Sequence, residues 1–238
     1  MWIGFAVEDL EFPVTYYIDT LGTRTAWITS GIGWDTFLTW IRDRNSRNKV
    51  VVVTSMEFIP FLDYTKHQTG AHFVCLEIDK PSYWLEADAN YNTVDLGWGV
   101  DKMHWWRIGE RREWQREPSF FLTGENSSLE DGITNRGYKV FKGDAGYVAA
   151  NVAIVPEPRV VPHDIYNAMA TGMPVVTTRD NAPWLSSFPS FDVFVEDGVE
   201  AIIEEVRGTD FKNLGMMAQE MVPDTASFRE SLIDKLTF

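Results

Sequence analysis

The stretch from Ala149 to Val176 limits the fold of this chain more than any other. Val152-Ala153-Ile154-Val155 is a continuous apolar run that stops at Pro156 and passes into a polar loop at Glu157-Pro158. Residues from His163 to Thr171 read as a short helix closed by Gly172, and Val175-Val176 as a second buried strand. Strands apolar on both faces are the mark of a parallel sheet covered by helices, and parallel neighbours need a crossover of this length. The unit is therefore βαβ. Ligands of such sheets lie beyond the carboxyl ends of the strands, where the following helix offers unpaired N–H groups to an anion.

The alternation recurs along the chain. Residues 2–7, 14–19 and 24–29 read as short strands, and Ser30-Gly31-Ile32-Gly33-Trp34-Asp35 as a turn into a helix carrying Phe37, Leu38, Trp40 and Ile41 on one face. Residues 49–54 form a β-branched strand, 58–68 a helix and 71–78 another strand. The polar, aromatic stretch 81–99 has no clear period, and a domain junction is expected near its end. Beyond Pro118 the pattern sharpens: strands at 120–123, 138–141, 152–155 and 191–195, and helices at 127–135, 144–150, 199–207, 210–222 and 226–236. No repeat or low-complexity tract is present.

Composition narrows the function classes. At 238 residues the chain can be one large domain or two small ones, and 45% apolar with 24% charged residues is globular. A net charge of −14 suits a soluble protein and opposes capture of a polyanion by bulk electrostatics. Two local basic clusters stand out, Arg42–Lys49 and Lys102–Arg116. Ten tryptophans suit stacking platforms or core packing. Cys75, the single cysteine, excludes an intrachain disulfide and a cysteine zinc site, and its apolar setting predicts a packed thiol. The start lacks a basic signal region, and no run reaches membrane-span length, so a cytoplasmic protein is expected.

The segment Asn167-Ala168-Met169-Ala170-Thr171-Gly172-Met173-Pro174-Val175-Val176, with the strand and loop before it, closely resembles the donor-sugar loop of GT-B glycosyltransferases of the retaining, group 1 type. Their pattern is a strand ending in Pro-Ser, an acidic residue, and a helix reading Glu-Ala-Met-Ala-x-Gly-x-Pro-Val-Val. Other pieces follow in the family's order. Leu96–Trp105 looks like its Asn-Gly-Val-Asp-x-x-x-Phe linker, and Phe120–Gly124 like the strand and glycine that open its C-terminal domain. Tyr147–Val152 is similar to its Tyr-x-x-Ala-Asp-Val step, and Asp192–Glu205 to the strand and helix after the donor loop.

The resemblance implies an α/β protein of two Rossmann-like domains with parallel sheets flanked by helices. The expected division is a small N-terminal acceptor-side domain (1–95), a nucleotide-sugar domain (96–225) and a helix (226–238) returning toward the N-terminal domain. The short first half suits a compact, viral-type version, which would act in the host cytoplasm. The implied activity is transfer of a sugar from a nucleotide diphosphate sugar of UDP or GDP type to an acceptor hydroxyl. The outcome would be retaining and independent of a metal or other cofactor. A glycan or a modified nucleic-acid base are acceptor candidates, and the Lys102–Arg116 cluster mildly favours the latter.

Two positions depart from the pattern. Asn167 stands where the family has its ribose-binding glutamate, and the sugar-side glutamate falls on Arg159, or on Glu157 with a small insertion. Glu125 and Asn126 occupy the place of the basic pair that grips the diphosphate, for which Arg136, Lys139 or Lys142 are substitutes. The donor set is thus Gly124, Arg136, Lys139, Lys142, Glu157, Asp164, Asn167 and Thr178, with Thr177 beside it. Asn167 can hydrogen-bond a ribose hydroxyl, Gly124 lets backbone approach a phosphate, and Asp164 could instead cap its helix. The catalytic candidates are His163, Asp35 and Glu8, with Asp9, Glu57 and His67 unranked behind them. Asp88-Ala89-Asn90 is a poor metal motif, and four scattered histidines make no metal constellation. The rival reading is a degenerate GT-B-like scaffold or nucleotide-binding partner protein, which the two departures would equally produce.

Overall fold

The computed structural model describes residues 2–6, 49–53, 72–76, 92–94, 98–159 and 162–236. By internal contacts the chain divides into two compact units, one formed by 1–97 with 229–238 and the other by 98–228. The expected strands at 14–19 and 24–29, the helices at 34–41 and 58–68, and Glu8, Asp9, Asp35, Glu57, His67 and Asp88–Asn90 lie outside the described residues.

The first unit contains a four-stranded parallel sheet. Its strands, β1 (Trp2–Ala6), β2 (Lys49–Val53), β3 (His72–Leu76) and β4 (Asn92–Val94), lie in chain order. The register pairs Gly4 with Val51, Val51 with Phe73 and Cys75 with Thr93.

The second unit is α/β around another parallel four-stranded sheet. Its strands are β5 (Phe120–Leu122), β6 (Val140–Phe141), β7 (Val152–Val155) and β8 (Val175–Thr177), in the order β6-β5-β7-β8. Around them lie α1 (Lys102–Gly109), α2 (Ser127–Thr134), α3 (Asp144–Ala149), α4 (His163–Ala170), α5 (Ala182–Leu185), α6 (Gly198–Gly208) and α7 (Phe211–Met221); the last helix, α8 (Thr225–Leu236), begins in this unit and has its residues from 229 onward in the first.

Strand alternation sends side chains to two faces. Phe120, Leu122, Val152, Ile154 and Val176 face one way, and meet Leu129 and Ile133 of α2 and Ile202, Ile203 and Val206 of α6 in one buried core. On the other face Phe121 meets Gly146 and Tyr147 of α3, while α4 packs on β7 and β8. Helices α1 and α7 then pack on α4. Close approach there requires glycine: a Cβ on Gly215 of α7 would collide with the Gly172 carbonyl oxygen, and one on Gly109 of α1 with that of Thr171. Gly172 itself ends α4 at φ +84°, the left-handed conformation expected of it.

Arg112 ties these pieces together. It is 6% exposed, donates to the Thr171 carbonyl oxygen and hydroxyl (2.8 and 2.9 Å) and to the Tyr147 carbonyl oxygen (2.7 Å), and lies over the Trp114 ring. Burial pulls its guanidinium down to about 10, which leaves it charged at neutral pH. Two of the three oxygens it binds are carbonyls at the ends of α3 and α4, where the helix dipole favours a cation.

Two parts differ from expectation. The strand read over 191–195 is an extended segment with a single bridge, Phe194 to Thr177. Phe191 and Val193 are buried, but the chain turns into a short 3-10 helix at Val195 and pairs no further. The basic cluster at 102–116 begins as a helix, α1, capped by the Asp101 carboxylate accepting from the His104 N–H at 2.9 Å.

Candidate functional site

The order β6-β5-β7-β8 makes β5 and β7 neighbours in the sheet although β6 lies between them in sequence. The chain leaves β5 toward one side and crosses back to enter β7, so the loops leaving these two strands diverge. Such a switch point opens a crevice at the carboxyl ends. Gly124 is in the first loop and Glu157 in the second, and they touch: a Cβ built on Gly124 would stand 3.2 Å from Glu157 Cδ and Oε1.

A chain of polar contacts runs from Glu157 to the start of α4. Glu157 Oε2 is 3.1 Å from Arg159 Nη1, Arg159 Nη2 is 3.0 Å from Asp164 Oδ2, and Asp164 Oδ1 is 3.1 Å from His163 Nε2. Arg159 and Asp164 are mostly buried, whereas Glu157 and His163 remain accessible. Burial alone would push the Asp164 carboxyl up. The hydrogen bond and charge of His163 and the guanidinium of Arg159 outweigh it and hold the group below its ordinary value of 3.8. Asp164 is not a cap, because Pro162 occupies that position and no side chain caps α4. The first N–H groups of this helix therefore have no side-chain acceptor at the cap.

The loop is pinned by Asn181, a residue the sequence reading did not single out. Its Nδ2 donates to the Glu157 carbonyl oxygen and to Thr177 Oγ1, both at 2.8 Å, and its Oδ1 accepts from the Arg159 N–H at 2.7 Å. Thr177 Oγ1 in turn donates to the Val155 carbonyl oxygen at 3.1 Å. At 1% exposure Asn181 has both its donor and acceptor ends engaged, as a buried amide must. By contrast, Thr178 Oγ1 and Arg159 Nε are buried with no hydrogen-bond partner. These two groups have hydrogen-bonding capacity to spare.

Asn167 lies one turn into α4, near enough to the Tyr147 hydroxyl to lower its pKa. The Tyr147 ring sits between Phe121 and Trp105, at centroid distances of 4.6 and 4.7 Å. Burial first, and the Asp164 charge with it, raise this phenol out of its usual range, and Asn167 offsets part of that.

The expected cations separate. Lys142 follows β6 at the carboxyl edge of the sheet and pairs with Glu130 at 2.5 Å, whose hydrogen bond and charge hold the ammonium above its ordinary value. Arg136 and Lys139 lie between the end of α2 and the start of β6, at the amino edge. Arg136 binds Glu200 at 2.6 Å, and the Lys139 carbonyl oxygen accepts from the Phe120 N–H. Asn126 caps α2 by accepting from the Leu129 N–H at 3.0 Å, and Glu125 is exposed beside it. The structure thus brings Gly124, Glu157, Arg159, His163 and Asp164 together, with Thr178 past the end of β8, and sets Arg136 and Lys139 apart from them. Among the described residues no cluster of three histidine, cysteine or acidic side chains could hold a metal ion.

No family model matches the sequence, and no curated protein matches it. Among solved structures, the chain is similar to the crystal structure of a glycosyltransferase from Rickettsia africae ESF-5. The alignment spans 99% of this chain and 94% of that one, with 12% identity and a TM-score of 0.55. At that identity the likeness shows the fold alone: this chain has an α/β architecture that a glycosyltransferase also uses.

Proposed function

We propose that the chain is a glycosyltransferase that binds a nucleotide diphosphate sugar at the β5–β7 crevice and moves the sugar to an acceptor hydroxyl. What carries the reading is the Gly124–Glu157 contact at a topological switch point, with the Arg159–Asp164–His163 chain beside it. The sequence resemblance to retaining, group 1 enzymes and the fold of the Rickettsia africae glycosyltransferase support the same class. In the reaction the bond from the anomeric carbon to the diphosphate oxygen breaks and a bond to the acceptor oxygen forms. Negative charge accumulates on the departing diphosphate, so stabilising it is the main demand. The N–H groups opening α4, the Arg159 guanidinium and the His163 ring N–H meet that demand without a metal. Glu157, which carries charge and accepts only, suits sugar hydroxyls better than phosphate oxygens. Arg136 and Lys139 have no part in this version of the site.

Thermal-shift titration with UDP, GDP, ADP and their sugar conjugates tests the reading. One conjugate should stabilise the chain by about 2.7 kcal/mol over its ligand-free state at a hundredfold excess over Kd, and by more than its bare diphosphate does at the same concentration. Gly124→Ala supplies the site-specific control. Its new Cβ asks Glu157, an accessible side chain, to move by a few tenths of an ångström, so the fold should be kept. Binding of the conjugate should fall at least about tenfold as the close backbone approach is filled. Silence from every nucleotide would sink the transferase and leave the partner-protein reading, which the acidic Glu125 in place of a cation favours.

A further inference from the structure

The loop that carries Glu157 and Arg159 has little to hold it from within. Pro156 and Pro158 lack an N–H, so Glu157 and Arg159 bring the only backbone donors of the stretch 156–159. The bonds that fix these two residues come from the segment after β8. Asn181 spans Pro158 from both sides: Nδ2 donates to the Glu157 carbonyl oxygen at 2.8 Å, and Oδ1 accepts from the Arg159 N–H at 2.7 Å. The other Nδ2 proton goes to Thr177 Oγ1 at 2.8 Å, which fastens the same amide to β8. Trp184 Nε1 adds a longer bond, 3.4 Å, to the Arg159 carbonyl oxygen. The backbone of Arg159 is thus held at its N–H and at its C=O. The segment is itself anchored, by the Asn181 N–H on the Thr178 carbonyl oxygen at 3.1 Å and by the Phe188 ring 5.3 Å from that of Tyr166 in α4.

We propose that Asn181, with Trp184 beside it, is a positioning residue of the crevice, setting the backbone from which Glu157 and Arg159 reach a bound ligand. The inference takes the ligand, a nucleotide diphosphate sugar, from the transferase reading. Asn181 is buried, so it acts through those two residues and not on the ligand itself. Its chemistry suits the role as no other side chain's does, because one amide offers two donors and an acceptor at a single reach. Aspartate would lose both donors and set a carboxylate against the Glu157 carbonyl oxygen. Serine has one donor, and glutamine needs room for a methylene in a close-packed interior. Two contacts depend on where this backbone lies. Arg159 Nη2 stands 3.0 Å from Asp164 Oδ2, and Glu157 lies against Gly124. A shift of about 1 Å in groups that must meet a reacting bond costs on the order of a hundredfold.

Calorimetric titration of the full chain with UDP-glucose, GDP-glucose and ADP-glucose, each beside its bare diphosphate, gives one readout. Asn181→Ala should weaken the conjugate that the parent binds by at least about tenfold. Thr171→Val is the control. It removes two bonds of another buried hydroxyl, about 12 Å along α4 from His163, and should leave that affinity within about twofold. The second readout needs no nucleotide. Followed by its carboxyl carbon signal, the Asp164 titration should move up toward 3.8 in Asn181→Ala, as the Arg159 guanidinium leaves it, and stay in place in Thr171→Val. Should Asn181→Ala not fold, Trp184→Phe keeps a ring and removes one bond to the loop. It should weaken the conjugate about threefold and move the titration the same way. An unmoved Asp164 titration in the folded variant would overturn the proposal, and so would an affinity that Asn181→Ala and Thr171→Val lower alike. A parent that binds no nucleotide while the titration moves would sink the transferase reading and support Asn181 as the residue that places Arg159.

Discussion

Asp164 shares its carboxylate between a guanidinium and an imidazole, and this arrangement gives it a pH signature. A carboxyl held below its ordinary value of 3.8 binds its proton more weakly in the folded chain than in the unfolded one. Its contribution to stability is therefore complete above that value and is lost as pH falls through the depressed one. Asp164→Asn should lower unfolding free energy by about 2 kcal/mol at pH 7, because Arg159 then keeps only the accessible Glu157 as an anionic partner. The gap between variant and parent should begin to narrow as pH falls below 3.8. Urea unfolding at pH 7, 5 and 3 measures it, and a gap that stays constant would mean that Asp164 acts by packing alone. Asp164 and His163 were legible in the sequence because an acidic residue in a first helical turn is a local pattern. Glu157 and Arg159 were legible only as alternatives for one role, and the fold uses both by pairing them. Asn181 left no such trace: the two loop groups it holds are 22 and 24 residues away in the chain, and no local spacing encodes that.

At the scale of elements, the helices that a strand introduces were easier to read than those that only cover them. Residues 127–134 and 163–170 carry apolar positions at helical spacing between clear strands, and 198–208 carries the same spacing beyond them; each forms a helix. The segment 102–109 reads as a run of charge and aromatic rings because none of its residues is fully buried, although Asp101 was an available start signal. Residues 182–185 were missed for their shortness. The strand read at 191–195 failed for another reason: alternating burial of Phe191 and Val193 mimics a strand, yet one bridge is all the sheet edge offers. Packing of α7 on α4 supplies a sharper test than any of these. Gly215→Ala drives a methyl group into the Gly172 carbonyl, and backbone cannot yield as a flexible side chain can. The cost should be about 3 kcal/mol. Gly208→Ala, at the end of α6 with open space around it, should gain about 0.5 kcal/mol from helix propensity. Chemical denaturation of the pair reads both signs; a neutral Gly215→Ala would show that the two helices separate readily.

The two ends of the 98–228 unit are stitched to each other, which bears on how independent that unit is. The Val100 N–H donates to the Pro223 carbonyl oxygen at 3.0 Å, the Thr225 N–H donates to the Val100 carbonyl oxygen at 2.9 Å, and Phe228 packs on Gly99. Every member of the core between the sheet and helices α2 and α6 falls inside these limits. So do Gly124, Glu157, Arg159, His163 and Asp164. The repeated strand–helix alternation made this half the readable one. In the first half the β-branched run of β2 and the apolar runs of β1 and β3 were legible, but β4 is three residues within a polar stretch and offered no period to detect. A fragment of residues 98–228, which keeps the whole core and the stitched ends but only the first turn of α8, should therefore fold alone, with one cooperative urea transition. If the crevice holds the donor as proposed, the nucleotide that stabilises the full chain should shift the fragment's midpoint comparably. Sugar transfer should be absent, because the acceptor side is expected from residues 1–95. A fragment that folds yet ignores the nucleotide would assign the donor contacts to the missing residues; one that fails to fold would show that residues 229–238 supply stability the stitched ends cannot replace.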